Sequence, residues 1–194
     1  MFSPTTPRFS IYSTTLLMIF CLLSAPVHAK TIENIVFADS VTIGGKVVPL
    51  RNAALLRYLR FIKAYVAALY LPEGVRAVDV LSDVPKRLEL SYLVAIKGPD
   101  FGKGAAPTLE RNLTAAELAR LQVRIERINA AYRDVKVGDR YSLTYLPGRG
   151  TELALNGTPL VTIEGADFAA AYFGIWLGRA SIDDKLKRDL LRGR

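Results

Sequence analysis

One 15-residue stretch, 57–71, contains the side chains best suited to binding an anion: Arg57, Lys63 and Tyr65. Its aromatic and β-branched residues favour a strand over a helix. As a single strand at about 3.3 Å per residue it would reach roughly 50 Å, so we expect it to bend, bulge or divide. An unbroken pleat would put Arg57, Lys63 and Tyr65 on one face. Because buried cations need partners, this face predicts either an internal ion pair or an anion-binding pocket.

The first 29 residues have the layout of a secretory signal peptide. Arg8 is their only charged residue, an apolar run covers 11–23, and small residues lead up to Ala29. The run is shorter than the roughly 20 residues of a membrane span. We therefore predict cleavage near Ala29 and a periplasmic or otherwise exported protein, with a retained N-terminal anchor as the alternative.

Cleavage after Ala29 would remove every sulfur-containing and imidazole side chain in the sequence. The sequence contains one cysteine, one histidine and two methionines, and all four lie in this segment: Cys21, His28, Met1 and Met18. The remaining chain could form no disulfide, use no thiolate or imidazole catalysis, and supply none of the usual zinc or haem ligands. We expect no cofactor and no metal, so any chemistry must come from Arg, Lys, Tyr, Thr, Asn and carboxylates.

The remaining 165 of 194 residues are enough for one well-packed domain, 30–194. Alternating polar and apolar residues over 86–96 predict a strand with one wet face. The segment 97–107, rich in Gly and Pro, predicts a loop, and Thr114 and Glu117 match a helix capping box. Three short strands follow at 140–146, 151–155 and 159–164, the last two joined by an Asn-Gly turn at Asn156. A nearly all-apolar segment, 167–177, predicts a buried helix.

These elements predict an α+β fold in which an antiparallel sheet is covered by a layer of helices. Several segments, in this order, resemble the chalcone isomerase-like family, and specifically its bacterial exported branch. The matching segments are 52–57, 62–71, 110–112, 139–141, 156–157 and 167–178.

The resemblance implies an apolar ligand cleft between the sheet and the helices. In the family's isomerases, the arginine at the position of Arg57 stabilises a developing phenolate or enolate. In its fatty-acid binders the same arginine pairs with a carboxylate. Asn112 matches an active-site asparagine. The implied catalytic residues are Arg57, Tyr65 and Asn112, and the implied ligand-binding residues add Lys63, Phe168 and Tyr172.

The sequence departs from the isomerase pattern at several cleft positions. Tyr65 replaces a threonine, Ile175 replaces a serine or threonine, and 104–107 contains no tyrosine. Ala53 and Leu55 stand where glycines usually precede the arginine. Losing two polar partners would cost roughly 1–3 kcal/mol each in recognition of a polar substrate. We therefore expect a non-catalytic protein, with a chalcone-type isomerase or intramolecular lyase as the alternative.

The expected partner is a small amphipathic anionic ligand, such as a fatty acid or an aromatic acid. Its head would contact Arg57, and its tail would lie among Tyr65, Ala67, Leu69, Phe168 and Tyr172. The net charge of +8, lowered to +7 by removal of Arg8, allows weak association with anionic membrane surfaces, which leaves a structural role in the envelope as a third hypothesis. We expect a monomer. Because the cations are scattered along the chain and the protein is expected to be exported, we expect no binding to nucleic acid.

Overall fold

The structure is a computed structural model that describes Met1 and residues 30–59 and 61–192. Apart from Met1, the predicted signal peptide lies outside the described residues. No helix in the described part of the chain is long and apolar enough to cross a membrane.

A seven-stranded antiparallel sheet forms the centre of the molecule, with its strands in sequence order. A separate two-stranded hairpin precedes it. The hairpin consists of β1 (Lys30–Ile32) and β2 (Ile35–Phe37); the sheet consists of β3 (Ser40–Ile43), β4 (Lys46–Tyr58), β5 (Ile62–Tyr70), β6 (Lys86–Tyr92), β7 (Arg140–Leu146), β8 (Gly150–Leu155) and β9 (Thr158–Ile163).

Four helices in the described residues pack on one face of this sheet, as the sequence predicted. They are α1 (Gly98–Asn112), α2 (Ala115–Ala131), α3 (Ala166–Leu177) and α4 (Asp184–Leu191). The predicted capping box is present, since the Thr114 side chain accepts from the Glu117 amide and the Glu117 carboxylate accepts from the Thr114 amide. The buried helix predicted at 167–177 is α3, in which nine residues are buried.

Strand β5 is covered on both faces, which explains its apolar sequence. Tyr65, Ala67 and Leu69 belong to the core cluster that includes the helices. Val66 and Tyr70 alternate with them and pack in a second cluster with Phe37 of the β1–β2 hairpin. Every residue from 64 to 70 is buried. The alternation separates what the strand presents to the helices from what it presents to the hairpin.

The loop predicted at 97–107 is wrong, because this segment forms most of α1. Its glycines permit close helix packing: a Cβ on Gly98 would lie 2.8 Å from the Tyr132 carbonyl oxygen, and one on Gly102 would lie 2.8 Å from Asn129 Nδ2. Pro107 lies inside the helix and removes the amide that would bond the carbonyl of Lys103. Local propensity was overridden here by packing against α2.

A buried lysine lies at the start of β6. Lys86 is fully buried, and its Nζ donates to the Ser82 carbonyl over 2.8 Å. The same nitrogen stands 4.6 Å above the centre of the Tyr145 ring. Burial lowers the pKa of Lys86 from 10.5 to about 8, and the nearby Asp83 offsets part of that effect.

We predict that Lys86 makes the stability depend on pH between about 8 and 10. In this window the unfolded chain holds a proton that the folded chain has released, so the free energy of unfolding rises with pH. The full effect is about 3 kcal/mol. Urea unfolding at pH 7.5–9.5 should show this rise in the wild type and a much flatter profile in Lys86→Met.

The exposed Lys103 provides the control, because Lys103→Met should follow the wild-type profile. Buried tyrosines lower the free energy of unfolding as pH rises, but only at higher pH. Their effect is the same in the wild type and both variants, so it cancels in the comparison. Parallel pH profiles for Lys86→Met and the wild type would contradict the prediction.

Candidate functional site

An apolar pocket of about 150 Å³ lies between the helix-facing side of the sheet and helices α1 and α3. We call it the aromatic pocket because six of its lining residues carry rings. These are Tyr65, Tyr92, Phe101, Tyr132, Tyr172 and Trp176.

The pairing of β5 with β6 forms the floor of the aromatic pocket. Tyr65 pairs directly with Tyr92, and their ring centres lie 5.7 Å apart in an edge-on arrangement. Phe101 of α1 contacts Tyr92 edge-on at 5.6 Å and stacks on Tyr132 at 4.6 Å. These contacts are the preferred geometries of aromatic pairs, so the rings hold one another in place around the space.

The polar atoms of the pocket are mainly tyrosine hydroxyls in hydrogen bonds. Trp176 Nε1 donates to the Tyr65 hydroxyl over 3.0 Å, and the Tyr172 and Tyr132 hydroxyls bond each other over 3.0 Å. Among the described residues, the Tyr65 proton has no acceptor. Burial raises the pKa of Tyr65, Tyr132 and Tyr172 well above the usual value. The hydroxyls therefore stay protonated and suit hydrogen-bond donation rather than proton abstraction.

Arg57 lies outside the aromatic pocket. It is exposed and lines a separate, open surface pocket of about 500 Å³ beside α4, which we call the polar pocket. Lys30, Asn52, Asp183 and Asp189 also line it. The expectation that Arg57 sits at the mouth of an apolar cleft is therefore wrong in this structure.

The expectation that Arg57, Lys63 and Tyr65 share one face is also wrong. Leu56 pairs with Tyr65, but the register shifts by one residue there, and Arg57 pairs with Lys63. Lys63 Nζ bonds the Glu33 carboxylate over 2.6 Å, in the turn of the β1–β2 hairpin. This exposed ion pair matches neither a buried pair nor an anion site.

Asn112 and Phe168 have structural contacts. The Asn112 amide nitrogen donates to the carbonyls of Gly174 and Ala180 at 3.2 and 3.0 Å, and its oxygen accepts from the Ala180 amide at 2.8 Å. It joins the end of α1 to the segment after α3, beside a different surface pocket. Phe168 is fully buried and stacks on Tyr172 at 5.2 Å without lining the aromatic pocket.

Of the six proposed ligand-binding residues, the structure brings only Tyr65 and Tyr172 together in the aromatic pocket. The three residues proposed for isomerase chemistry, Arg57, Tyr65 and Asn112, line three different pockets. Sequence reasoning missed four of the ring residues. The predicted alternation over 86–96 gave a signal for Tyr92 and the predicted buried helix at 167–177 gave one for Trp176, but Phe101 lay in the segment assigned to a loop.

A two-residue boundary separates the aromatic and polar pockets. Ile182 lines the first and Asp183 lines the second. The Ile182 amide donates to the Ile175 carbonyl over 2.8 Å. The Asp183 side chain accepts from the Leu186 amide over 2.6 Å and caps α4. The two pockets therefore adjoin at the segment that precedes α4.

Comparison with known families matches the chain over residues 29–192 to the model described as chalcone isomerase-like. The chain belongs to the chalcone isomerase-like family. The solved fatty-acid binding protein of Arabidopsis thaliana has the same fold, with a TM-score of 0.65 and 14% identity over 85% of this chain and 96% of that one. No curated protein sequence matches. In this family member, the described residues contain no cluster of three or more His, Cys, Asp or Glu side chains that could hold a metal.

We predict that Asn112→Ala lowers the free energy of unfolding by about 2 kcal/mol, because it breaks three hydrogen bonds and leaves the Ala180 amide and carbonyl without a partner, whereas the Gly174 carbonyl keeps the Gly178 amide. Chemical denaturation checks this, with the exposed neighbour Glu110→Ala as the control, expected within about 0.5 kcal/mol of the wild type. Unchanged stability in Asn112→Ala, together with lost ligand binding, would instead assign Asn112 to a binding site.

Proposed function

We propose that this chalcone isomerase-like protein is non-catalytic and binds a small amphipathic anionic ligand, with the apolar part in the aromatic pocket. The observation that carries the proposal is an apolar pocket walled by rings and provided with a free hydroxyl donor on Tyr65. Pockets for small molecules are mainly apolar and contain a few fixed polar groups. The Arabidopsis neighbour, which is a fatty-acid binding protein, supports a ligand-binding rather than a catalytic role.

The size of the aromatic pocket favours an aromatic acid over a long-chain fatty acid. An engineered apolar cavity of about 150 Å³ accommodates benzene, whereas pockets for larger ligands are about 300–1,000 Å³. The aromatic pocket has about 150 Å³ and therefore fits one ring or a short acyl chain. Its rings offer edge and face contacts to another ring. A long acyl chain would require the pocket to widen.

The head group of the ligand must find its cation outside the aromatic pocket. The lining includes the Asp100 carboxylate but neither lysine nor arginine. Arg57 follows Leu56, which pairs with Tyr65, and it lines the polar pocket on the far side of Ile182. We assign the carboxylate to Arg57, where a guanidinium can bind it in bidentate fashion.

We also propose that the protein belongs to the exported bacterial branch of the family and acts in the periplasm after losing residues 1–29. The support is the sequence layout of that segment.

We expect the protein recovered from the periplasm of a Gram-negative expression host to begin at Lys30. Intact mass spectrometry measures this directly, and Ala29→Glu should block cleavage because the processing site requires a small residue. Lys30→Gln is the matched control and should be cleaved normally. A wild-type mass that retains residues 1–29 would contradict the export proposal.

We predict that single-ring aromatic acids change the fluorescence of Trp176, the sole tryptophan, which lines the aromatic pocket. Benzoate, 4-hydroxybenzoate and cinnamate should give saturable titrations, with palmitate binding more weakly. Gly104→Leu should weaken binding at least about tenfold, because a Cβ there has no atom within 4 Å and its side chain would occupy space that Gly104 lines.

Ala106→Leu is the matched control, since it adds the same side chain at an exposed position two residues away and outside the pocket lining. A leucine at Gly104 should also stabilise α1 by up to about 1 kcal/mol, so loss of binding there cannot reflect unfolding. Arg57→Gln should weaken binding of cinnamate, whose carboxylate is held away from the ring, and leave binding of cinnamamide unchanged. Equal affinities of wild type and Gly104→Leu would remove the aromatic pocket from the proposal, and turnover of a chalcone above background would restore the isomerase alternative.

A further inference from the structure

The turn between β4 and β5 exposes more apolar side chain than any other short segment of the described chain. Tyr58, Leu59, Phe61 and Ile62 are 60%, 67%, 85% and 47% exposed. We call these four residues the β4–β5 tip. Exposed apolar residues elsewhere on the described surface are scattered. Single exposed hydrophobic residues are normal, whereas a contiguous group marks an interaction site.

The β4–β5 tip extends beyond the neighbouring strands. The ladder between β3 and β4 includes no β4 residue beyond Pro49, and the ladder between β5 and β6 begins at Tyr65. From Arg57 to Lys63 the two strands therefore pair only with each other. The described residues of the tip are free of any covering strand, and a flat surface could contact them without moving the sheet.

The backbone of the β4–β5 tip is strained at an apolar residue. Leu59 has φ 48°, in the left-handed region that leucine rarely adopts, and the Phe61 amide closes the turn on the Tyr58 carbonyl over 3.2 Å. Glycine or asparagine would fit this position with less strain. A leucine at a strained and exposed position adds little to the core, which makes its side chain a candidate for contact with a partner.

Two cations lie immediately below the apolar residues of the tip. Arg57 and Lys63 form the register pair that precedes the turn, and the sequence adds Arg60 within it. Lys63 is bonded to Glu33, whereas no acidic partner of Arg57 occurs among the described residues. Apolar side chains at an end flanked by lysine and arginine match a bilayer surface, where acyl chains lie beneath anionic head groups.

We propose that the β4–β5 tip docks the protein on an anionic lipid bilayer, with Leu59 and Phe61 inserted among the acyl chains and Arg57 at the level of the phosphates. The proposal does not depend on the aromatic pocket, but it shares Arg57 with the carboxylate site assigned above, so the test of insertion rests on Leu59 and Phe61. Net charge alone predicts membrane association without a particular contact site, whereas this proposal assigns the contact to one hairpin. A partner protein or a second copy of the chain are the competing occupants, and each gives a different result below.

A fluorescent reporter on the tip tests the proposal in the full chain. Phe61→Trp places an indole at the most exposed tip residue, and Val123→Trp places one at an exposed apolar position on α2 as the matched control. Each variant also carries Trp176→Phe, so that the new indole is the sole tryptophan, and is mixed with vesicles of phosphatidylglycerol and phosphatidylethanolamine that contain a doxyl-labelled lipid. We expect a blue shift and quenching for Phe61→Trp and neither for Val123→Trp. Because the reporter is local, membrane binding by residues 1–29 does not obscure the result.

Leu59→Gly separates the contact from folding. Glycine accepts the positive φ, so the variant should unfold at the same or a higher urea concentration than the wild type. Loss of the leucine side chain should weaken vesicle binding of the Phe61→Trp reporter by roughly tenfold. Arg57→Gln should weaken it by about fivefold on these vesicles.

Four results would overturn the proposal. An unchanged Phe61→Trp spectrum with bound vesicles would place the membrane contact elsewhere. An equal response on vesicles of phosphatidylcholine alone would remove the role of the cations. A blue shift that appears without vesicles and grows with protein concentration would show that a second copy covers the tip, and one that requires an added protein would assign it to a protein partner.

Discussion

The coverage of β5 on both faces is the constraint on which the rest of this structure depends. Between residues 64 and 70 the strand has no wet side, so successive side chains enter two different cores. Tyr65 thereby becomes part of the floor beneath the helices, while Val66 is committed to the hairpin side. The helix layer can form a pocket only where the strand side chains leave space, and that space is bounded by the pairing of Tyr65 with Tyr92. The location of the aromatic pocket therefore follows from strand register.

The register shift between Leu56 and Arg57 determines where this covered region ends. A shift of one residue exchanges the two faces of a strand, so a side chain that alternation assigns to the core side is presented elsewhere. Here the shift falls where the sequence changes from apolar to basic residues. It keeps Leu56 and Tyr65 together in the core and releases Arg57 and Lys63 to the surface. Without it, Lys63 would lie two residues from Tyr65 on an unbroken pleat and would face the apolar layer beneath the helices, with a large cost of desolvation.

Much of the fold could be predicted because its signals are local. Asn156 and Gly157 adopt φ 49° and 81°, as an Asn-Gly hairpin turn requires, so the meander of β7 to β9 could be read from the sequence. The capping box at Thr114 fixed the start of α2. The α1 helix could not be predicted in the same way, because Gly98 and Gly102 are selected for contact with α2, 27–34 residues later in the chain. Such long-range packing leaves no local pattern.

The candidate site was less predictable than the fold, because the rule that buried cations need partners was applied to the wrong residues. In the structure, Arg57 and Lys63 are exposed, and the lysine that is actually buried is Lys86, held by the Ser82 carbonyl and the Tyr145 ring. The burial of Lys86 depends on the loop before β6, which no strand pattern reveals.

Conversely, the sequence predicts a buried Arg57 only if residues 57–71 are treated as one strand. The turn at the β4–β5 tip changes its environment completely, and the same turn that removes Arg57 from the apolar core places it beneath exposed leucine and phenylalanine side chains. A basic residue beside an apolar segment in a sequence can therefore line an apolar pocket or lie next to an exposed apolar turn. Only the position of the turn decides between these two arrangements.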